Sequence, residues 1–353
     1  MNVKSLMEAV NEWDAMSIDE DVASVSKYAA ILEQLKFLGA DEWSNYVPAI
    51  NPVHSGDFIT RLAVWIGNAS DATERQLLLE YARRISFFSH HDFLSLFMAA
   101  FNGPITRWVI EQTGIRFDSP DFPKRLAAEL HQHTWYCSIT DSMDINAFYH
   151  INRVTGIDRR PFFKDLEDLS SDPVANSKNI ANLIQYIHDT GLKRLVLLED
   201  VVGSGSQSER AVRWALCGLG IDVMFAPLIV CPRGARLGRA LATTFRGRLT
   251  FEPVIELSAR NMFGPEREQG TSTQDDFAKK LEGFTERSFN NVTGIPALPP
   301  DTAPYGPFGY ADTGSSIVTY KNTPDNTLPL VHHSPAAGTW SPLFPRSPRI
   351  KIS

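Results

Sequence analysis

The sequence predicts an α/β fold: a mainly parallel sheet with helices on both faces, an N-terminal helical domain before it and a proline-rich C-terminal hood after it. Three observations predict this. Apolar runs at Thr134–Ile139, Leu195–Leu198, Val223–Val230 and Leu249–Leu257 alternate with segments of helical period, which is the βαβαβ pattern of a parallel sheet. Residues 1–130 carry helical period with no competing strand signal. Eleven of the 22 prolines fall between Pro296 and Pro348, so the last region must differ in kind from the rest. At 353 residues the chain exceeds a comfortable single core. The expected division is 1–130 helical, 131–260 α/β, and 261–353 hood packed on the α/β core.

Taken in order, Val22 to Leu38 reads as a helix, with Val25, Tyr28, Ala29, Leu32, Leu35 and Phe37 on a buried face and Gly39 as its C-terminal cap. Phe58–Ile66 and Ser70–Arg84 continue the pattern, Ser70 serving as an N-cap. His91–Phe101 is apolar enough to be buried among helices, and Asn102-Gly103-Pro104 breaks it. Thr134–Ile139 is the first strand, after which Thr140-Asp141-Ser142 can turn and cap a helix from Met143 to Val154. Asp158–Pro173 reads as loop. A helix from Asn176 to Thr190 then leads through Gly191 into the next strand. Val223–Val230 is a buried strand that Pro227 should bend or place at an edge. Arg236–Phe245 is helical and Leu249–Leu257 is a further strand. The proline-rich region keeps Phe308, Tyr310, Trp340, Phe344 and other large apolar residues. A disordered tail would lack them, so an ordered, irregular segment with a strand at Ser316–Tyr320 is expected.

Composition narrows the function. A net charge of −7 argues against a general, strongly basic nucleic-acid binder. No apolar run reaches the roughly 20 residues of a membrane span, so no membrane partner is expected. Met1-Asn2-Val3-Lys4-Ser5 lacks the build of a secretory leader. The three cysteines, Cys137, Cys217 and Cys231, show no metal spacing; Cys217 and Cys231 sit in apolar contexts and read as packed thiols. A reducing, cytoplasmic setting is expected.

The stretch from Leu195 to Ser208 concentrates the chemistry. A buried strand ends in Glu199-Asp200, and Val201-Val202-Gly203-Ser204-Gly205-Ser206-Gln207 follows, then a helix from Ser208. Gly203 and Gly205 allow positive φ and close approach of a ligand to the backbone. Successive amides there, with the positive end of the following helix, suit a phosphate. The hydroxyls of Ser204, Ser206 and Ser208 can donate to it. Glu199 and Asp200, as acceptors, suit ribose hydroxyls or a bridging Mg²⁺. No G-x-x-x-x-G-K-[ST] or G-x-G-x-x-G is present, and a dinucleotide fold places its acidic residue about 20 residues later. The plain alternative is an ordinary strand–turn–helix with a polar strand end.

On these residues the chain resembles the type I phosphoribosyltransferases. Gly203 stands where Ser, Thr or Ala is usual in that family, and Gln207 where a small hydroxyl residue is usual. They match instead the "DxVGSGxQ"-like loop of phosphoribosyltransferase-like proteins of bacterial conflict systems, some encoded beside retron reverse transcriptases. That group also resembles this chain at Asn322-Thr323-Pro324-Asp325-Asn326-Thr327-Leu328-Pro329 and Trp340-Ser341-Pro342-Leu343-Phe344-Pro345-Arg346. The resemblance covers roughly residues 130–350. It implies the type I phosphoribosyltransferase sheet, with Glu199 and Asp200 as the catalytic pair and Val202 to Ser208 as the phosphate loop. It further implies a pyrophosphate or Mg²⁺ loop at Thr140, Asp141 and Ser142. The reading of Thr140–Ser142 as a plain helix cap stands beside it.

Open parallel sheets bind ligands beyond the carboxyl ends of their strands. Arg233 and Arg236, after the third strand, are therefore candidates for contact with a base or anion, or simply solvated arginines. His332-His333 and His131/His133 lack further ligands at metal spacing, so no direct protein metal cluster is expected. Asn322, Asn326 and Arg346 could line the site or cap a proline-rich turn network. Arg346, Arg349 and Lys351 form a small basic end, a weak nucleic-acid signal.

The resemblance implies an effector, or toxin, of a retron-type anti-phage system acting on a ribose-phosphate or nucleotide at C1′, with substrate-bridging Mg²⁺. The alternative is a non-catalytic nucleotide- or nucleic-acid-binding subunit associated with a reverse transcriptase and its RNA–DNA hybrid. It gains support because no His or Lys stands beside the signature to act as a base. A housekeeping salvage enzyme is a weaker third reading, given the helical extension and the altered loop. Oligomerisation is compatible with all three.

Overall fold

The computed structural model describes residues 1–16, 26–50, 57–155, 157–168, 172–268, 270, 272–294 and 305–347. Helices α1 (Val3–Met16), α2 (Lys27–Ala40), α3 (Phe58–Ile66) and α4 (Ala72–Ala82) come first, then strand β1 (Ser86–Phe88). Helices α5 (His90–Ala100), α6 (Thr106–Thr113) and α7 (Phe122–Gln132) lead to β2 (Thr134–Ser138). Next come α8 (Ile145–Ile151), α9 (Phe163–Asp168), α10 (Pro173–Thr190), β3 (Arg194–Val202), α11 (Ser206–Gly218), β4 (Asp222–Val230) and α12 (Pro232–Thr244). Short strands β5 (Leu249–Phe251) and β6 (Ile255–Glu256) precede α13 (Ser272–Thr293). The chain closes with β7 (Tyr305–Gly306), β8 (Gly309–Tyr310), β9 (Ile317–Thr319) and α14 (Pro329–His332). It divides into two compact units, one of Met1–His90 with Ala259–Ser353 and one of His91–Ser258.

The second unit holds the parallel sheet, in the order β2–β3–β4–β5, with β6 also on β4. β3 and β4 are buried along nearly their whole length, which is why they read as unbroken apolar runs. Alternate side chains of β2 meet helices on opposite faces. Trp135 packs on Phe163 of α9 and Tyr186 of α10, while Tyr136 packs on Phe101 and Phe148. Helices α5 to α7 therefore cover one face of this sheet. Glu129 of α7 pairs with the buried Arg194 of β3 at 2.6 Å, and Tyr136 donates to the carbonyl of Leu130 at 2.8 Å. For this reason the compact α/β unit begins at 91, not at 131. A helical period shows that a face is buried but not what buries it.

Several local expectations are corrected. Asn102-Gly103-Pro104 does not break the chain: Phe101–Ile105 forms one π turn between α5 and α6. The amide and the hydroxyl of Thr106 both donate to the Phe101 carbonyl, the hydroxyl at 2.7 Å, closing the wider turn that contains Pro104. The joined segment His90–Thr113 is long and apolar enough to cross a membrane by length and composition, yet Phe93, Leu96, Phe97, Ile105, Trp108 and Val109 are buried. Pro227 neither bends β4 nor lies at an edge of the sheet. Its carbonyl accepts from Val254 in the gap between β5 and β6, so its missing N–H faces the one interval where no strand partner stands. Asp71, not Ser70, caps α4 by accepting from Glu74 N–H at 2.9 Å. Gly39 lies inside α2 against the Phe58 ring. Residues 22–25 of the expected first helix lie outside the described residues, as do Arg349 and Lys351. Cys137 and Cys231 are buried, but Cys217 is exposed.

The first unit has its own apolar core, and the proline-rich segment is part of it. β1, not expected from the sequence, pairs in parallel with β9, the expected strand at Ser316–Tyr320, Ser86 opposite Ile317. Phe344 sits 5.2–6.0 Å, ring centroid to centroid, from Trp43, Tyr46, Phe58 and Phe87. The indoles of Trp65 and Trp340 both donate to the carbonyl of Leu330, at 2.7 and 2.9 Å. The C-terminal segment expected as a hood on the sheet is thus built into the helices of residues 1–90.

Candidate functional site

The carboxyl ends of β2, β3 and β4 bring the predicted residues together. Parallel register sets Ser138 opposite Leu198, so the turn after β2 lies beside the acidic end of β3. There Thr140 donates to Glu199 twice, from its amide at 3.0 Å and its hydroxyl at 2.6 Å. The Thr140 hydroxyl also meets Ser142 Oγ at 2.7 Å, and Ser142 donates to Asp200 Oδ1 at 2.9 Å. Asp200 Oδ1 further accepts from the Val201 amide at 2.7 Å. Thr140 and Ser142 therefore link the two carboxylates and do not cap a helix. Asp144 caps α8 instead, accepting from Ala147 N–H at 3.0 Å.

The two carboxylates differ in state. Glu199 is buried. Burial pushes its carboxyl well above the usual range, the neighbouring Asp200 adds to this, and the Thr140 donors pull it only partly back. Asp200 is half-buried, and Asp141 and Ser142 are exposed. The exposed end of the pair thus belongs to Asp200.

The loop after β3 turns its carbonyls inward. Val202 O accepts from Cys231 N–H at 2.8 Å, Gly203 O from Gly234 N–H at 3.0 Å, and Gly205 O from Glu209 N–H at 2.8 Å. Among the described residues, the amides of Ser204, Gly205, Gln207 and Ser208 have no partner, and that of Ser206 has only the Ser204 hydroxyl at 3.5 Å. Consecutive unpaired amides ahead of the 13-residue α11 form an anion nest. Gly205 makes the turn, with φ 84° and the αL conformation. Val202 ends the strand and is buried, Ser208 is buried, and Ser206 and Gln207 are exposed on the first turn of α11.

Sequence reasoning did not identify Gly234. A Cβ there would stand 2.8 Å from the Gly203 oxygen and 3.1 Å from the Val202 oxygen, so only glycine lets the start of α12 press against the loop. The signal was a glycine in the first turn after Pro232. Arg233 and Arg236 are exposed on this turn. Ser138 Oγ, buried at the end of β2, has no hydrogen-bond partner. The C-terminal motif residues lie in the other unit. Asn322 Oδ1 accepts from Thr323 and Ser347 amides at 3.0 and 3.2 Å, Asn326 donates to Thr313 at 3.1 Å, and Arg346 pairs with Asp325 at 3.2 Å. His332 is buried, its Nε2 3.3 Å from the Thr327 carbonyl.

The family model of PRTase-CE matches residues 62–346. The chain belongs to the PRTase-CE family. It carries a phosphoribosyltransferase-like domain, and the parallel sheet with its acid-ended central strand is consistent with that fold. No curated protein and no solved structure matches the chain.

Mg²⁺ keeps several waters and takes one or two carboxylates beside substrate phosphates. Asp200 and Asp141 offer such carboxylates, whereas Glu199 is engaged by Thr140 and disfavoured as an anion. This donor set fits an ion carried in by a diphosphate, which Asp200 and Asp141 would hold.

Proposed function

We propose that the α/β unit binds a 5-phosphoribosyl ligand and acts at its C1′. The single observation that carries this reading is the loop after β3, whose Val202 and Gly203 carbonyls are held by the amides of Cys231 and Gly234 while the amides of Ser204, Gly205, Gln207 and Ser208 have no partner among the described residues. Those amides would hold the 5′-phosphate. Asp200 would accept from a ribose hydroxyl and lie near the positive charge that develops at C1′ in an oxocarbenium-like transition state. Glu199, carrying a proton, would donate or accept at the buried end of the pair and hold the Thr140–Ser142 turn in place. Mg²⁺, when bound, would offset the charge of a diphosphate leaving group.

The biological role we propose is that of an effector, or toxin, of a retron-type anti-phage defence system in the bacterial cytoplasm, partnered by a reverse transcriptase and its RNA–DNA product. The similarity of the 200–207 loop and the 322–346 segment to that group supports it. A second reading, binding without turnover, is favoured by one observation: Glu199, whose carboxyl is pushed well above its usual range, is buried and tied to Thr140 and does not face outward as a base. Incubation with phosphoribosyl diphosphate and Mg²⁺, followed by assay of released pyrophosphate, separates the two. Turnover that vanishes in Asp200→Asn supports the enzyme; tight binding without pyrophosphate supports the binding subunit. Full toxicity of a folded Asp200→Asn chain in cells would contradict the effector reading.

A further inference from the structure

We propose that the first unit carries a second ligand site, a cleft between α2, α4 and α13 that takes an organophosphate of mononucleotide size bearing a planar ring. The cleft has a volume of about 550 Å³, within the usual range for small-ligand pockets. Five cations and three carboxylates line it. Two of the cations are already matched, Lys27 with Glu80 and Arg287 with Glu74 at 3.4 Å. Arg84, Lys279 and Lys280 have no carboxylate within ion-pair distance among the described residues, Glu80 acting on Arg84 only from further away, and against these three cations stands one remaining carboxylate, Asp276. The unmatched charge calls for an anion.

The planar ring follows from Arg84. Its guanidinium lies 3.9 Å from the centroid of Phe277, and the residue is exposed while Phe277 is buried. A guanidinium pinned on one aromatic face is a flat cation, and the face away from the ring can stack a base. Partial burial, with Arg83 nearby, holds this guanidinium below its usual range, so an anion in the cleft would be favoured there.

An independent observation comes from Gly283, in the middle of the 22-residue α13. Glycine is a poor interior helix residue, and here neither its backbone nor its packing demands it. Its φ is not positive, and an added Cβ would touch only the tip of Arg287, at 3.2 Å. It lies on one helical stripe with Lys280 and Arg287, at i−3 and i+4. The missing side chain leaves room at the floor of the cleft for the tip of Arg287, beside Lys280.

Equilibrium dialysis of the full chain with labelled AMP at physiological ionic strength tests this. The wild type and Asp200→Asn should each bind an equivalent of AMP that both Arg84→Ala/Lys280→Ala and Gly283→Leu weaken by tenfold or more. Gly283→Leu keeps every charge and improves helix propensity, so its effect reports occlusion rather than unfolding, which circular dichroism verifies. Inorganic phosphate should compete at least tenfold less well than AMP. The proposal is overturned if no saturable AMP binding is found, or if Gly283→Leu binds as the wild type does. It is also overturned if phosphate competes as well as AMP, or if Asp200→Asn alone removes all binding.

Discussion

In the α/β unit the amides of Ser204, Gly205, Gln207 and Ser208 stand without partners among the described residues, whereas in the other unit the side chains of the 322–346 motif are taken up locally, the buried Nδ1 of His333 excepted. Asn322, Thr323, Arg346 and Trp340 all bond within that unit. Both segments lie inside the span the family model matches, and both looked equally diagnostic in the sequence. The difference is that one keeps hydrogen-bonding capacity in reserve and the other spends it on packing. A motif can therefore mark a family by its chemistry or by its core, and unpaired donors tell the two apart.

The largest expected effect should break the unit that spends. Phe344→Ala removes a fully buried ring from four aromatic neighbours and should cost about 3–5 kcal/mol of that unit's stability, read by urea unfolding. If the segment lay on the surface as a hood, the loss would be far smaller.

In the α/β unit a single added methyl group should already be costly. Gly234→Ala sets a Cβ against the Gly203 and Val202 oxygens and should displace the loop. We expect a cost of about 1–3 kcal/mol and a matching loss of phosphate affinity by calorimetry, although Gly234 touches no ligand. Unchanged affinity would mean that the loop does not depend on α12 for its shape.

Thr140→Val tests the link between the two strand ends. It removes the hydroxyl donor to a buried carboxyl and should cost about 1–3 kcal/mol. Thr140→Ser, which keeps the donor, should restore most of it.

The smallest effect is the most discriminating, because the two units should respond to pH with opposite sign. The folded state holds a proton on Glu199 above its ordinary 4.5, so N binds more protons than U and the α/β unit loses stability as pH rises above 4.5. His332 goes the other way: burial first, and Arg346 next, lower it to about 3 from 6.5. The unfolded chain then binds more protons, and the first unit loses stability as pH falls from 6.5 towards 3. Unfolding followed at several pH values should show Glu199→Gln abolishing the first slope and His332→Gln the second. A single slope shared by both units would contradict the comparison.

The parallel strands were legible because a strand buried on both faces leaves an uninterrupted apolar run, and the site was legible because Glu199-Asp200 and the glycines adjoin such a run. The Thr140–Ser142 link to the acids was not, since it depends on the register of two strands about 60 residues apart. β1 was not, being three residues, Ser-Phe-Phe, whose partner lies 231 positions on. Pro104 and Pro227 misled because each removes a donor: Pro104 is taken into a π turn, and the missing donor of Pro227 faces the interval between β5 and β6. Cys217, among apolar neighbours in sequence, falls on the exposed side of α11.

The most direct test of the central claim is calorimetric titration of ribose 5-phosphate into the full chain and into Gly205→Val, whose side chain would be forced into αL backbone and against Leu237. The account predicts saturable binding to the wild type and a loss of at least tenfold in the variant, with circular dichroism unchanged. Equal binding to both proteins would contradict it.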